Sequence, residues 1–128
     1  MAVVLIVEDE EQVRVLAESI LQARGHRTLS AATVDQALAL IAVGQPIDLL
    51  FTDINLAADV AAGLVHPGLE LAQQANKLRP DLRVLYTTGA AVTDGMTALF
   101  VEGAELLPKP YDMDQLATKV GDMTSKPD

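Results

Sequence analysis

The chain has no cysteine and only four aromatic residues, Phe51, Tyr86, Phe100 and Tyr111. Without cysteine there is no disulfide framework and no thiolate metal centre, a composition at ease in a reducing compartment. Basic residues are also scarce. Nine Lys and Arg stand against eighteen Asp and Glu, giving a net charge of −9. Nucleic-acid binding draws on Lys and Arg contacts to phosphate, so this balance argues against a nucleic-acid partner. No apolar run approaches the ~20 residues that a membrane-spanning helix needs. Met1 leads directly into a strand-like run, so no signal peptide or transit segment is predicted. The expectation is a cytoplasmic protein with no membrane partner. His26 and His66 are isolated, without metal-ligand spacing, and His66, followed by Pro67, reads as a loop residue.

What is present is a strongly apolar chain of 128 residues, half of them hydrophobic, which suits one domain with a real core. Short apolar runs alternate with helical patterns. Residues 3–7 are continuously apolar, as in a strand buried on both faces of a parallel sheet. The acidic cluster Glu8-Asp9-Glu10-Glu11 follows. Then Val13, Leu16, Ala17, Ile20 and Leu21 recur at helical spacing, with Gly25 as the stop. Residues 26–31 read as a mixed strand. Thr33-Val34-Asp35-Gln36 offers a capping box for a helix carried by Val34, Ala37, Leu38 and Ile41. Residues 47–51 form the third apolar run. An alanine-rich stretch without periodicity, 56–67, precedes a helix carried by Leu71, Ala75 and Leu78, stopped before Pro80. Residues 83–86 are the fourth strand. Residues 92–101 read as a helix, weakened at Gly95 by about 1 kcal/mol relative to alanine. Residues 105–107 are the fifth strand. The last helix has Asp112 as N-cap, Gln115 three residues on, and Met113, Leu116, Ala117 and Val120 as its apolar face.

Strands alternating with helices predict an α/β fold with a parallel sheet and right-handed crossovers. The first, third and fourth strands are the most apolar and should be central. The second and fifth should be edges. That predicts five parallel strands in the order 2-1-3-4-5, a flavodoxin-like, doubly wound (βα)5 arrangement. Such sheets bind ligands at the carboxyl ends of the strands, beside the switch point between strands one and three. Glu8-Asp9 and Asp53 flank that point, and Thr88 and Lys109 end the fourth and fifth strands at the same edge.

A carboxylate at the end of a hydrophobic strand is costly to desolvate without partners. Asp9 and Asp53 held close together repel unless a cation intervenes. Hard oxygen ligands at an open site suit Mg²⁺, which takes a few carboxylates plus water and phosphate oxygens. Asp9 and Asp53 are the candidate ligands, with Glu8 acting through water and the main-chain carbonyl of Asn55 completing the protein donors. Asp53 can then act as an in-line nucleophile and become an acyl phosphate. Lys109 would hold one phosphoryl oxygen as a point charge, and the Thr88 hydroxyl would donate to another.

The pieces VVLIVEDE, FTDINL, GLELA, RPDLRVLYTTGA and LLPKPYDMDQLATKV together resemble the receiver domain of two-component response regulators across essentially the whole chain. The resemblance implies Mg²⁺-dependent phosphotransfer to Asp53 from a histidine kinase or a histidine phosphotransfer protein. It implies the same roles for Asp9, Asp53, Glu8, Asn55, Thr88 and Lys109, and a cis Lys109–Pro110 bond. It also implies a signalling face built from the fourth helix, fifth strand and fifth helix, and a monomer or a phosphorylation-dependent dimer. Residues 1–124 would be the receiver domain and 125–128 a short disordered tail. The reading is a stand-alone receiver that signals by binding a downstream protein; the alternative is a receiver from a hybrid sensor kinase.

Two departures stand out. The family often has an aromatic residue three positions before the lysine, where this chain has Leu106. Ala57 takes the place of a common proline, and the loop to Gly68 is several residues longer than usual. That loop is either tolerated variation or a partner-selecting lip. Three other functions compete. A degenerate receiver would act as a phosphate-independent interaction module, an option that Leu106 keeps open. An aspartyl-phosphate phosphohydrolase would have a second aspartate two residues after the first, where this chain has Asn55. An FMN binder would need a Ser/Thr/Gly phosphate loop after the first strand, where this chain has four acids.

Overall fold

A computed structural model describes residues 2–125. The five apolar runs are strands: β1 (Val3–Val7), β2 (Arg27–Ala31), β3 (Leu49–Asp53), β4 (Arg83–Thr88) and β5 (Glu105–Pro108). All pair in parallel, in the order β2-β1-β3-β4-β5. Helices α1 (Glu11–Ala23), α2 (Val34–Ala42), α3 (Ala57–Ala61), α4 (Pro67–Leu78), α5 (Asp94–Thr97) and α6 (Met113–Thr124) connect and cover them. The central strands β1, β3 and β4 alternate their side chains between two apolar layers. Val4, Ile6, Leu49, Phe51 and Leu85 pack under α1 and α6, against Ile20, Leu21, Leu116 and Val120. Leu5, Val7, Leu50, Val84 and Tyr86 pack under α2, α4 and α5, against Ala37, Ile41, Leu71, Ala75 and Met96.

Side-chain caps fix where several helices begin. Asp112 and Gln115 form a reciprocal capping box, each side chain bonding the other's main-chain N–H at 2.8 Å. Thr33 is only half of one. Its hydroxyl accepts from the Gln36 N–H at 3.2 Å, but the Gln36 carboxamide reaches one residue further back, to the Ala32 N–H. Beyond Thr124, the N–H and hydroxyl of Ser125 both donate to the Gly121 carbonyl, so Ser125 closes α6. The rest of the expected tail, residues 126–128, lies outside the described residues.

Four helical expectations need correction. Leu16, Leu78 and Met113 fit the apolar spacing but are exposed. On α4 the buried stripe runs through Leu71, Ala72 and Ala75, and the next position in that row is Arg79 rather than Leu78. Arg79 instead turns its guanidinium onto the Ile41 and Gln45 carbonyls, at and just past the end of α2. The helix expected over 92–101 is a single turn, α5, capped by the Thr93 hydroxyl on the Met96 N–H. Past it, Leu99 bonds Met96 and Phe100 bonds Thr97, so the ladder tightens to three-residue spacing. Gly95 and the threonines at 93 and 97 are weak helix formers and cannot sustain a longer run.

The alanine-rich stretch after β3 holds a helix that sequence periodicity did not show, the five-residue α3. It is pinned at both ends. Leu56 is fully buried ahead of it. Behind it, Pro67 opens α4, and the Gly68 N–H donates to the Ile54 carbonyl at 2.8 Å. At Gly68 the main chain of α4 presses against β3, where a Cβ would stand 2.0 Å from the Asp53 carbonyl oxygen and 2.7 Å from the Ile54 Cα. Gly68→Ala should therefore destabilise the fold by about 1–3 kcal/mol, as overpacking against unyielding backbone does. Gly121→Ala on α6, where the added methyl meets nothing within 4 Å, should instead stabilise by about 0.5–1 kcal/mol. Urea denaturation of the two variants should displace the midpoint in opposite directions.

Candidate functional site

Parallel pairing sets the carboxyl ends of β1, β3, β4 and β5 side by side. Val7 lies opposite Thr52, Asp53 opposite Thr87, and Thr88 opposite Pro108. Each strand then delivers its next residues to one edge. Glu8 and Asp9 follow β1, Asp53 ends β3, Thr88 ends β4, and Lys109 follows β5. The Lys109 main-chain N–H donates to the Thr88 carbonyl at 3.0 Å, holding its stem beside β4. The Lys109–Pro110 bond is cis.

The Lys109 ammonium meets Asp53 Oδ2 at 2.7 Å and Glu8 Oε1 at 2.5 Å. Carboxylate oxygens of Glu8, Asp9 and Asp53 all lie within 4.8 Å of one another. Three carboxylates thus face one ammonium, and the cluster as built carries surplus negative charge. The proton affinities reflect this. Burial raises the Glu8 carboxyl above the ordinary carboxylate range, an effect that its ion pair with Lys109 only partly offsets. Burial alone would lower the Lys109 ammonium, but the hydrogen bonds it donates to Asp53 and Glu8 outweigh that and hold the lysine charged. The Asp53 and Glu8 side chains are 9% and 5% exposed, that of Lys109 22%. Lys109 is thus the more exposed partner in both pairs.

Main-chain donors take up other carboxylate oxygens. Asp53 Oδ1 accepts from the Asn55 N–H at 2.9 Å. Asp9 Oδ2 accepts from the Ala57 N–H at 3.1 Å, at the first residue of α3. The buried Thr88 hydroxyl accepts from the Ala90 N–H at 3.2 Å, an interaction that leaves its own hydrogen to donate. The hydroxyl of neighbouring Thr87 is buried and has no hydrogen-bond partner among the described residues.

The structure therefore gathers Glu8, Asp9, Asp53, Thr88 and Lys109, with Asn55 beside them. Reasoning from sequence missed three participants. His66 brings its Nδ1 to 3.4 Å from the Asn55 Oδ1. Asp59, on α3, accepts from the Val34 N–H at 3.0 Å and so ties the long loop to α2. Tyr86 is fully buried two residues before Thr88. Its hydroxyl accepts from the Val101 N–H at 3.3 Å, and its ring lies 4.4 Å from that of Phe100. For His66 and Asp59 no sequence signal existed, because their contacts depend on the path of the loop. For Tyr86 the signal was its period-two spacing to Thr88.

On the flank nearest α1, a cleft of about 400 Å³ is lined by Val13, Leu16, Gly89, Lys109, Pro110 and Tyr111. It is mostly apolar and opens beside the Lys109 ammonium. Among the described residues, no helix is long and apolar enough to cross a membrane.

A doubly wound sheet thus brings paired acids, a hydroxyl and a lysine to the edge where Asp53 ends β3. The family profile described as "Response regulator receiver domain" matches residues 4–121, and the chain belongs to that family. It is a family of signalling domains rather than, in general, of enzymes. Sensor kinase CckA of Brucella abortus (strain 2308) is 32% identical over 130 residues, which cover 99% of this chain and 13% of the kinase. The chain therefore spans little more than a tenth of that relative. Response regulator receiver protein CpdR of the same organism is 27% identical over 121 residues, 94% of either chain. The crystal structure of the receiver domain from hybrid histidine kinase CckA superposes with a TM-score of 0.77 at 30% identity, covering 96% of this chain and 99% of that one.

The charge balance can be tested without any phosphoryl donor. Lys109→Met removes the ammonium paired with Asp53 and Glu8. In metal-free buffer it should cost about 2 kcal/mol, between the values for exposed and buried ion pairs. Added Mg²⁺ should recover part of that loss. Urea unfolding with and without Mg²⁺ measures both.

Proposed function

We propose that this chain is a phosphorelay receiver that accepts a phosphoryl group from a phosphohistidine onto Asp53 and thereby switches a protein-interaction face. The observation that carries this reading is the Lys109 ammonium 2.7 Å from Asp53 Oδ2, within a cluster of three carboxylates. The donor set fits Mg²⁺: hard oxygens only, with negative charge in excess of the one ammonium. Asp9 and Asp53 would bind it directly, with the Asn55 main-chain carbonyl, and Glu8 through water. When bound, the cation offsets the charge that a phosphoryl group would otherwise meet.

The chain's own residues account for the remaining steps. An Asp53 carboxylate oxygen attacks phosphorus; the phosphorus–nitrogen bond of the donor breaks, and its electron pair returns to the imidazole. Lys109 then follows the charge, exchanging a carboxylate oxygen for a phosphoryl oxygen. The Thr88 hydroxyl turns its free hydrogen toward another phosphoryl oxygen. The donor is a histidine kinase or phosphotransfer protein, and the apolar cleft beside α1 offers it a seat next to Lys109.

The output face is α5, β5 and α6, the helices counted as fourth and fifth from sequence. Leu106 on β5 is partly buried and has no hydroxyl to answer Thr88. Tyr86 stands opposite it in register and supplies a phenol from the neighbouring strand. Displacement of Thr88 would reach Val101 and Phe100 through Tyr86. The domain spans residues 1–124, and its signalling state is a monomer or a phosphorylation-dependent dimer with a downstream protein as target. The intact acceptor set favours this reading over a degenerate module, and Asn55 in place of a second aspartate disfavours a phosphohydrolase.

Incubation with acetyl phosphate and Mg²⁺ should add one phosphoryl group to the intact mass of the wild type. It should add none without the metal, or to Asp53→Asn. A folded wild type that stays unmodified by acetyl phosphate and by histidine-kinase donors would refute the reading. Tyr86→Phe should still accept the phosphoryl group. In that variant the phosphorylation-induced change in the Val101 amide NMR signal should be lost.

A further inference from the structure

The loop between β3 and α4 returns to the acceptor site through one side chain. His66 and Asn55 are eleven residues apart, and each is held independently. The Asn55 N–H is bonded to Asp53 Oδ1 at 2.9 Å. The His66 carbonyl accepts from the N–H groups of Leu69 and Glu70 at 3.0 and 3.2 Å, so His66 is the fixed first corner of α4. Two residues later, Gly68 is bonded to Ile54 and pressed against the Asp53 carbonyl. Between these anchors the His66 ring meets the Asn55 carboxamide at its oxygen, Nδ1 to Oδ1 at 3.4 Å. Both side chains are half-buried.

This contact has a chemical consequence for phosphorylated Asp53, and it rests on the function proposed above. An acyl phosphate is lost when a water oxygen bonds to phosphorus and the bond from phosphorus to the Asp53 oxygen breaks. The electron pair returns to the carboxylate, and inorganic phosphate leaves with the water's remaining hydrogen, the other proton passing to solvent. A side-chain acceptor that holds the water in line accelerates this step; a carboxamide oxygen can serve, whereas a carboxamide NH₂ group cannot. Asn55 is two residues from the acceptor and is the carboxamide in reach. We propose that His66 is a positioning residue. It engages the Asn55 carboxamide oxygen, leaves the NH₂ group to face the phosphoryl site, and so lengthens the life of phosphorylated Asp53. The long loop then has a role in timing: it carries the histidine that withholds an acceptor from the attacking water.

Two measurements test this. The first needs neither metal nor phosphate. Donation to Oδ1 requires the hydrogen on His66 Nδ1, so imidazole ¹⁵N shifts of the neutral ring should report the Nδ1–H tautomer in the wild type. The Nε2–H tautomer would mean that the carboxamide is turned the other way, and would overturn the proposal. The second follows loss of the phosphoryl group by intact mass after acetyl phosphate is removed. His66→Ala should shorten the lifetime about fivefold, the worth of one ordinary hydrogen bond. His66→Gln, which keeps a side-chain N–H donor, should restore most of it. In an Asn55→Ala background, His66→Ala should change nothing further. An unchanged or longer lifetime in His66→Ala, or an equal effect with and without Asn55, would overturn the proposal. Circular dichroism of each variant separates these outcomes from misfolding. If no variant takes up phosphate, the receiver reading fails instead, and the tautomer still decides whether His66 donates to Asn55.

Discussion

One ammonium placed among three carboxylates is the constraint to which the rest of this structure answers. Carrying acids to the edge of an apolar sheet costs several kcal/mol per ion in lost hydration, recovered only through partners of opposite charge and well-aimed donors. Lys109 is that partner for Asp53 and Glu8. Its position depends on β5 lying beside β4, which the strand order secures and the bond from the Lys109 N–H to the Thr88 carbonyl completes. The Asn55 and Ala57 N–H groups cover further carboxylate oxygens. What remains is a site with charge to spare and an opening toward solvent, suited to a cation and an anion arriving together. Packing and chemistry are one problem here: the two apolar layers exist to hold four strand ends in register.

Much of this was legible in the sequence, because its strongest signals are those of burial. The most apolar runs, at 3–7, 47–51 and 83–86, marked central strands, and the mixed runs at 26–31 and 105–107 marked edges. That asymmetry fits the order found. Once the order is known, Glu8, Asp9, Asp53, Thr88 and Lys109 fall at one edge without further assumption. Helix faces were read less well. Leu16, Leu78 and Met113 obey the spacing of a buried stripe yet face solvent, because periodicity locates a stripe but not its width or where the sheet beneath it ends. The overlong fourth helix failed for a local reason. Threonines at 93 and 97 and a glycine between them support one capped turn and little more.

The segment between Leu56 and Gly68 was illegible for a different reason. Its order comes from tertiary contacts with no local signature: Ala57 on Asp9, Asp59 on Val34, His66 against Asn55. Alanine-rich sequence permits a turn of helix without demanding one. Tyr86 shows the converse case. Its residue type and spacing were plain, but the value of its hydroxyl appears only when Val101 is seen opposite it. The relatives share the domain as a whole, across chains as unlike in length as CckA and CpdR.

The pinning of that segment bears on how freely it can drift. A buried leucine fixes one end and a glycine wedged on β3 fixes the other, so the excursion between them is a closed loop whose length hardly registers at the sheet. Residues along its outer side, such as Val60 and Val65, are exposed and carry no part of the core. Mutation can therefore rewrite that rim, or lengthen it, while the acceptor aspartate stays where it is. The outer rim is thus free to vary, while Ala57 and His66 on the inner side of the same loop stay tied to Asp9 and Asn55.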